Sequence, residues 1–299
     1  MHRILISGAS GFIGKNLVDK LIDKNNDLML VGRNLDMFKT NIIKKKILDL
    51  GDVNYDCQEL INFNPDVFIH LAWEGIPNYS EEFSKKNYLN TLRIIKNIVE
   101  FTNCKKIIST GSCWEYNDGN IEGKCKENIE IKPKKPFSIY KKKILDEISI
   151  ITKKKNIIFN WLRLFYVYGP GQKKESIIPS LIETIRNKKT LNINYPANKN
   201  DYIYVDDVIK FIKIFINQHV PSGIYNIGSG KGIEVKNLLK IIDKEVNGTN
   251  DLYKKYLSII DENKRNQNFY ACTKKIEKYF KNFKLVDIEN GIRNVIKNT

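Results

Sequence analysis

The feature that most constrains the fold is a glycine-rich turn, GASGFIG at residues 8–14. It directly follows a short apolar run at residues 3–7 and leads into a segment with apolar residues at helical spacing. A strand that turns through glycines into a helix presents free backbone N–H groups and the positive end of the helix dipole to a phosphate. Gly8 permits the tight turn, Gly11 the close approach of a pyrophosphate, and Gly14 the packing of helix on strand. The stretch predicts the phosphate-binding corner of a dinucleotide fold.

Apolar strands and helical segments then alternate along the chain. Strands are predicted over residues 28–32, 47–50, 67–73, 106–109 and 157–164, and helices over 16–22, 56–63, 80–102 and from 136 onward. Most of these strands are short continuous apolar runs, which is the pattern of strands buried on both faces. The alternation predicts an α/β fold with a Rossmann-type, doubly wound parallel sheet.

The composition argues against several classes of function. The formal net charge is +16, but the basic residues are mostly lysines in short runs spread along the chain, so nucleic acid is not an expected partner. The positive charge would still attract an anionic substrate. No apolar run approaches the roughly 18 residues that cross a bilayer, and no signal peptide precedes the first strand, so we expect a cytoplasmic protein without a membrane partner. Five scattered cysteines without CxxC spacing predict reduced thiols and no metal site.

Two residues that follow or end predicted strands bear on the cofactor. Arg33 follows the second strand, where an NAD-binding fold usually has an acidic residue on the ribose 2′-hydroxyl. The planar guanidinium suits a 2′-phosphate, and no carboxylate at that position repels it. Asp49 lies at the carboxyl end of the predicted third strand, where an adenine would bind. The sequence therefore favours NADP(H) over NAD, with a solvated surface role for Arg33 as the alternative.

Several further motifs follow in order along the chain. They are Asp49-Leu50, His70-Leu71-Ala72, Asn90, RLFYVYGPGQ at residues 163–172, DYIYVDDV at 201–208 and YNIGSG at 225–230. Together with the glycine turn, these stretches resemble the extended short-chain dehydrogenases/reductases of the NAD(P)-dependent epimerase/dehydratase, or nucleotide-sugar, family. The resemblance runs from residue 1 to about residue 230.

The resemblance implies a division of the chain and a set of cofactor contacts. Residues 1–165, with returning segments at about 201–230, would form the dinucleotide-binding domain, and residues 166–299 mainly a smaller substrate-binding lobe. A homodimer formed through the helices at about 82–102 and 138–154 is also implied. The residues expected to bind the cofactor are Gly8, Ser10, Gly11, Phe12, Ile13, Gly14, Arg33, Asp49, Leu50, Leu71, Ala72, Trp73, Asn90, Tyr140 and Lys143.

The resemblance also assigns the catalytic residues. Ser112 stands four residues before Tyr116, where the family has a Ser or Thr that hydrogen-bonds the sugar oxygen. Tyr140 matches the proton-transfer tyrosine, and the family places the lysine that lowers its pKa four residues later. Here that position holds Ile144, and the lysine is Lys143, three residues after Tyr140. Residues three apart also share a helix face, so we expect Ser112, Tyr140 and Lys143 to be catalytic, with a surface lysine or an impaired site as the alternatives.

Four residues are expected to bind the substrate. Cys113 and Trp114 lie in the run Gly-Ser-Cys-Trp-Glu-Tyr, which resembles the branch of the family that includes reductases of nucleotide-linked 4-keto-6-deoxy sugars. Tyr166 takes the place of an Asn that contacts substrate in the family. Lys199 stands near the place of an Arg that pairs with the nucleotide diphosphate, with Arg186 as the alternative.

Together, these expectations favour one function and leave several alternatives. The best hypothesis is an NADP(H)-dependent reductase of a nucleotide-linked 4-keto-6-deoxyhexose, in sugar biosynthesis for surface polysaccharide. The nearest rival is a nucleotide-sugar 4-epimerase that retains NAD, and a 4,6-dehydratase ranks behind it because Cys113 stands where an acid would be useful. A catalytically idle NADP-binding regulator is the rival from another class, favoured only by the shortened spacing between Tyr140 and Lys143.

Overall fold

The strands and helices are those of a computed structural model that describes residues 2–22, 26–117, 121–280 and 284–298. In chain order the strands are β1 (His2–Ser7), β2 (Asn26–Gly32), β3 (Ile43–Ile47), β4 (Val67–His70), β5 (Lys106–Ser112), β6 (Gly123–Cys125), β7 (Ile158–Leu164), β8 (Tyr166–Tyr168), β9 (Lys199–Tyr204), β10 (Gly223–Ile227), β11 (Gly232–Glu234) and β12 (Phe269–Ala271). The α-helices are α1 (Phe12–Leu21), α2 (Gln58–Phe63), α3 (Glu81–Phe101), α4 (Trp114–Asn117), α5 (Pro136–Lys154), α6 (Ile177–Arg186), α7 (Val205–Asn217), α8 (Val235–Asn247), α9 (Asp251–Leu257) and α10 (Ile288–Lys297), and a 3₁₀ helix covers Ile276–Tyr279.

The largest sheet has seven strands in the order β10-β7-β5-β4-β1-β2-β3. Strand β1 pairs in parallel with β2 and β4, and the same direction continues to β3 and β5. The strand order reverses at β1, and doubly wound folds bind their ligands outside the carboxyl ends of the strands at such a point. The predicted α/β fold with a Rossmann-type sheet is confirmed.

The central strands are buried on both faces. Ile4, Leu5 and Ile6 of β1 and Phe68 of β4 are inaccessible to solvent. Apolar residues of α3 and α5 belong to the same core cluster as Leu5 and Phe68. Because strands of this kind need helices over both faces, the continuous apolar runs of the sequence already demanded a parallel sheet.

The predicted third strand is wrong in position. Strand β3 covers Ile43–Ile47, so Leu48, Asp49 and Leu50 lie beyond its carboxyl end. It ends the strand order and pairs with β2, and its lysines at 44–46 reach solvent to different extents. An edge strand carries charged residues readily, so β3 lacks the continuous apolar run that indicates a buried strand.

Two other strands end at residues different from those predicted. Strand β4 ends at His70, so Leu71, Ala72 and Trp73 begin the loop that follows it. Strand β5 continues to Ser112, which is therefore its last residue. Both differences bring predicted site residues to the carboxyl ends of parallel strands.

Contacts between residues divide the chain into two compact units. The first unit comprises Met1–Gly119, Glu130–Arg163 and Ile209–Tyr225, and the second comprises Asn120–Ile129, Leu164–Val208 and Asn226–Thr299. The segment that returns to the first unit is Ile209–Tyr225. The predicted division into residues 1–165, with returning segments at about 201–230, and residues 166–299 stays a prediction. The substrate-binding role of the second unit stays a prediction.

The second unit has two small sheets, β11-β9-β8 and β12-β6, and a core shared by α6, α8 and α10. Two motifs of the sequence meet in it, because the buried carboxylate of Asp201 accepts hydrogen bonds from the backbone N–H groups of Ser229, Gly230 and Ala271. Burial raises the pKa of Asp201, although these donors oppose the rise. The 201–208 and 225–230 motifs therefore stabilise each other.

Among the described residues, no helix is long and apolar enough to cross a membrane. The same residues contain no group of three or more His, Cys, Asp or Glu side chains arranged to hold a metal ion.

Candidate functional site

The glycine turn has the geometry of a phosphate cradle. Gly8 has a φ of +77°, and a Cβ on it would lie 2.6 Å from the backbone nitrogen of Ala72. A Cβ on Gly14 would lie 2.2 Å from the carbonyl oxygen of Gly8, so this contact between strand and helix also requires glycine. Gly11 precedes α1 and supplies no side-chain cap, which leaves the first N–H groups of the helix available to an anion. These features fit the pyrophosphate of a dinucleotide.

A cavity of about 250 Å³ opens beside this turn, within the first unit. It lies at the carboxyl ends of β1, β2 and β4 and beside the segment that follows β3. Ten of the residues predicted to bind the cofactor line it: Gly8, Ser10, Gly11, Arg33, Asp49, Leu50, Leu71, Ala72, Trp73 and Asn90. Phe12, Ile13 and Gly14 form the first turn of α1 next to them. Tyr140 and Lys143 are not among the lining residues.

Two cations share one carboxylate of the cavity wall, that of Glu74. The guanidinium of Arg33 donates to Glu74 Oε1 at 2.8 Å, and Lys86 Nζ lies 3.1 Å from Glu74 Oε2. Burial opposes ionisation of Glu74, but hydrogen bonds from Lys86 and Arg33 outweigh it and hold the pKa of this carboxyl below its usual range. Asn87 fixes the backbone of Glu74 through bonds of 2.7 and 2.9 Å to its N–H and C=O. The sequence predicted Arg33 but neither Glu74 nor Lys86.

His70 is a buried, neutral residue that lines the cavity. Its Nδ1 lies 2.7 Å from Ser7 Oγ and its Nε2 lies 3.0 Å from Thr91 Oγ1. Burial lowers the pKa of His70 to about 3, and the nearby Lys141 acts in the same direction. The imidazole therefore holds β1, β4 and α3 together without carrying charge at neutral pH.

Ser112 is held by the turn that follows β5. Its backbone N–H donates to Glu115 Oε1 at 2.8 Å, and its Oγ accepts from the N–H of Trp114 at 3.2 Å. The side chain of Ser112 is half-buried, so its hydroxyl proton remains available to a substrate oxygen. The adjacent Cys113 is buried.

Glu115 anchors this turn to β7 through a buried ion pair. Arg163 Nε donates to Glu115 Oε2 at 2.8 Å, and the indole N–H of Trp161 donates to Oε1 at 3.1 Å. Arg163 also donates to the hydroxyl of Tyr116 at 2.8 Å. The charge on Glu115 is therefore fully compensated, and its effect is to fix the backbone of Ser112.

Tyr140 and Lys143 meet, but the hydroxyl of Tyr140 is directed to α3. It donates to Glu81 Oε1 at 2.6 Å, and the ring lies 5.4 Å from that of Tyr88. The Glu81 hydrogen bond raises the pKa of Tyr140, whereas a phenolate needs the opposite shift. Lys143 is exposed, with its Nζ 4.7 Å from the centre of the Tyr140 ring. The catalytic assignment of this pair stays a prediction.

Lys141 is the buried lysine of α5, and the sequence did not single it out. Its Nζ donates to the carbonyl oxygen of Thr110 at 2.8 Å and lies 3.9 Å from the centre of the Trp73 ring. Burial lowers the pKa of Lys141 to about 7, against the attraction of Glu115. Trp73 itself lines the cavity, so this ammonium lies directly behind the cavity wall.

The predicted substrate residues are distributed over both units. Cys113 and Trp114 belong to the first unit. Tyr166 belongs to the second unit, where its hydroxyl accepts a hydrogen bond from Gln267 Nε2 at 3.2 Å. Lys199 belongs to the same unit, and its Nζ lies 3.8 Å from Glu234 Oε1. Substrate contact by any of the four stays a prediction.

The chain is similar to several curated proteins over most of its length. CDP-abequose synthase of Salmonella muenchen is 26% identical over 258 residues, which cover 84% of this chain and 83% of that protein. A putative UDP-glucose 4-epimerase of Methanocaldococcus jannaschii is 29% identical, with 81% and 82% covered. The dTDP-4-dehydro-6-deoxyglucose reductase of Escherichia coli is 26% identical, with 82% of each chain covered.

Solved structures with the same fold include the UDP-N-acetylglucosamine 4-epimerase from Methanobrevibacter ruminantium M1, with a TM-score of 0.83 at 22% identity over 99% of this chain and 97% of that one. The UDP-glucuronic acid 4-epimerase from Bacillus cereus, in complex with NAD, gives a TM-score of 0.80 at 19% identity, with 99% and 98% covered. At such identities the likeness shows the fold. The model of the NAD dependent epimerase/dehydratase family matches residues 4–228, and with the glycine cradle and cavity described above this means that the chain belongs to the NAD dependent epimerase/dehydratase family.

Proposed function

We propose that the protein is an NADP(H)-dependent reductase of a nucleotide-linked 4-keto-6-deoxyhexose, in the supply of sugars for surface polysaccharide. The observation that carries the proposal is the turn from Ser112 to Glu115, which is held rigidly at the end of β5 by a buried ion pair. Its residues are those of the ketoreductase branch that the sequence resembles. The similarity to a dTDP-4-dehydro-6-deoxyglucose reductase and to CDP-abequose synthases supports the same class of substrate.

The cavity is the proposed cofactor site. Backbone N–H groups of the glycine turn would hold the pyrophosphate, with Asp49 and Leu50 beside the adenine. When bound, the reduced nicotinamide supplies the hydride. The protein contributes orientation and charge: the Ser112 hydroxyl would donate to the carbonyl oxygen and stabilise the negative charge that develops there.

The choice of NADP over NAD rests on Arg33 and Lys86. Arg33 lines the cavity, and both cations are already directed to one anionic group of the cavity wall, Glu74. A 2′-phosphate would compete with Glu74 for them, whereas NAD offers no such anion. The description of the family names NAD, and the UDP-glucuronic acid 4-epimerase of the same fold holds NAD, so NAD remains the alternative cofactor.

The reduction also needs a proton for the carbonyl oxygen. Tyr140 and Lys143 are the pair that the sequence predicts for this transfer. Tyr166 and Lys199 stay the proposed substrate contacts of the second unit.

We also propose that two copies associate through α3 and α5. These helices pack against each other, and each exposes a large apolar side chain, Leu89 at 47% and Ile150 at 57%. Burial of such residues against a second copy would remove apolar surface from water. The expected cytoplasmic location of the protein stays a prediction.

A 4-epimerase is the second candidate, because a putative UDP-glucose 4-epimerase is also 29% identical to the chain. The deciding experiment follows NADPH absorbance while the purified protein meets a panel of nucleotide-linked 4-keto-6-deoxy sugars. Stoichiometric loss of NADPH supports the reductase. Retained cofactor with interconversion of ordinary nucleotide hexoses supports the epimerase, and neither activity, with cofactor still bound, supports the idle regulator.

A matched variant checks that any activity belongs to the proposed site. In Ser112→Ala the turn keeps its backbone bond to Glu115 but loses the hydroxyl. Turnover should fall by about 100-fold while cofactor binding is unchanged, as for loss of one oxyanion donor. Equal turnover in both proteins would reject the assignment of Ser112.

A further inference from the structure

Four aromatic rings pack around one point of the first unit. The ring of Phe137 lies 5.2 Å from Trp73, 5.1 Å from Tyr79 and 6.4 Å from Trp114. Tyr79 also packs on Trp114 at 5.2 Å. We call these four side chains the aromatic cluster.

The aromatic cluster connects the cofactor cavity with Ser112. Trp73 at one end lines the cavity, and the backbone N–H of Trp114 at the other end donates to Ser112 Oγ. A sugar whose reacting carbon faces a cofactor in the cavity, and whose oxygen reaches Ser112, would therefore pass along this cluster. Tyr79 contributes the only phenol hydroxyl of its four members.

Lys141 lies against the same cluster. Its Nζ is 3.9 Å from the centre of the Trp73 ring and 5.9 Å from that of Phe137. Phe137 precedes Lys141 by four residues, one helical turn, and both are buried. The family keeps this spacing between its tyrosine and lysine, so Phe137 takes the tyrosine's place on the helix and offers no hydroxyl.

We propose that Tyr79, rather than Tyr140, donates the proton to the carbonyl oxygen, and that Lys141, rather than Lys143, is the ammonium on the cofactor side of the reaction centre. This inference rests on the proposed reductase function. It assigns the proton transfer to a residue of the loop between β4 and α3 instead of a residue of α5.

The contacts of the tyrosine hydroxyls favour Tyr79 as the proton donor. The hydroxyl of Tyr140 is bound to Glu81 and that of Tyr88 to Glu147, so both are occupied by carboxylates. Tyr79 is half-buried between two rings, and burial raises its pKa, with the Cys113 thiol adding to the effect. Like any phenol, Tyr79 keeps its proton at neutral pH and can give it to the substrate in the reductive direction. What distinguishes it from Tyr140 and Tyr88 is that Glu81 and Glu147 bind the other two hydroxyls.

The carbonyl carbon accepts the hydride with its electron pair and is reduced, while the nicotinamide is oxidised. The π pair of the carbonyl moves to oxygen, the O–H bond of Tyr79 breaks, and its proton forms the new hydroxyl. Solvent water then returns a proton to the phenolate.

Lys141 is suited to bind the cofactor next to the reacting carbonyl. The carbonyl of Thr110 takes one of its three N–H donors, and the ammonium lies directly behind Trp73. Lys142, by contrast, is paired with Asp146 on the surface at 2.6 Å, and Lys143 is exposed.

The test compares isosteric variants in two assays. The first assay measures NADPH oxidation with a ketosugar that the wild type turns over; the second measures NADPH binding without substrate, by quenching of tryptophan fluorescence. Tyr79→Phe should lower turnover by at least about 100-fold with the cofactor Kd within about twofold, and its loss should exceed that of Tyr140→Phe at least tenfold. Tyr88→Phe is the matched control, since its phenol is tied to Glu147.

Lys141→Met should raise the NADPH Kd about tenfold, and more than Lys143→Met, with Lys142→Met as the control. The inference is overturned if Tyr140→Phe loses turnover while Tyr79→Phe does not, or if Lys143→Met weakens binding more than Lys141→Met. Wild type that turns over no ketosugar and no nucleotide hexose rejects the proposed function and the role of Tyr79 with it. The binding assay then still decides between the two lysines.

Discussion

Arg163 Nε donates to Glu115 Oε2 at 2.8 Å, and neither side chain is accessible to solvent beyond a few per cent. The pair joins β7 to the turn that follows β5, and Glu115 also accepts the backbone N–H of Ser112. The position of the Ser112 hydroxyl, the candidate catalytic group, is therefore fixed by a buried ion pair.

Removal of one member of this pair should destabilise the protein strongly. Arg163→Met leaves the carboxylate of Glu115 buried without its cation, which typically costs about 3–5 kcal/mol in the free energy of unfolding. Urea unfolding monitored by circular dichroism measures the change. Lys142→Ala, which breaks the exposed pair with Asp146, is the control and should change stability by less than about 1 kcal/mol. Similar small effects of both variants would contradict a structural role for the buried pair.

Much of the fold was predictable because its signals are local. The glycine turn GASGFIG and the continuous apolar runs of β1 and β4 identify a parallel sheet without knowledge of any distant contact. Strand β3 was misplaced because its sequence, IKKKI, belongs to an edge that tolerates exposed lysines. The partner of Glu115 was not predictable either, since Arg163 lies 48 residues away.

The lysines of α5 show where local patterns become ambiguous. Three consecutive lysines are chemically identical, and the register of the helix against the sheet decides which one is buried. A signal was present nevertheless: Phe137, Lys141, Ile144 and Ile148 follow helical spacing, and all four are buried. The family's spacing after Tyr140 favours Lys143 instead, because only the packing of the helix distinguishes the three lysines.

Substitution of Gly14 should lower the stability of the fold, whereas substitution of Gly11 should weaken cofactor binding. Gly14→Ala puts a methyl group 2.2 Å from the Gly8 carbonyl oxygen, so the helix must shift, and a loss of about 1–3 kcal/mol in unfolding free energy is expected. In Gly11→Ala the same oxygen is 3.2 Å away, and the fold should persist. Because Gly11 lines the cavity, its methyl group should instead weaken NADPH binding. Urea unfolding and fluorescence titration distinguish the two variants, and unchanged stability of Gly14→Ala would contradict the close packing of turn and helix.

The carboxylate between Arg33 and Lys86 should set the balance between cofactors. Glu74→Gln removes the negative charge that competes with a 2′-phosphate, so NADPH should bind more tightly than to the wild type while NADH binding changes little. Arg33→Ala should weaken NADPH about tenfold, as for loss of a charged hydrogen bond.

Titration with each cofactor measures these affinities, and Lys44→Ala on the edge strand serves as the control for loss of a positive charge. Parallel changes in NADPH and NADH affinity would show that the three residues do not distinguish the cofactors.

Lys141 should make stability depend on pH in a defined window. Its pKa is about 7 in the folded protein, against 10.5 for an unburied lysine, because burial disfavours the ammonium. Between these values the unfolded chain binds the extra proton, so the free energy of unfolding should rise with pH by up to about 1.4 kcal/mol per unit. The charge of Glu115 acts on Lys141 and favours the ammonium, and Lys141 in turn acts on His70. His70 stays neutral across this window because its pKa is about 3.

Lys141→Met lacks the contribution of the buried amine, so its stability relative to the wild type should be most favourable near pH 7 and decline toward pH 9.5. Urea unfolding at half-unit pH steps measures the difference, with Lys142→Met, which is altered outside the core, expected to track the wild type. A constant difference between Lys141→Met and the wild type across the window would mean that the buried ammonium keeps its proton in the folded protein.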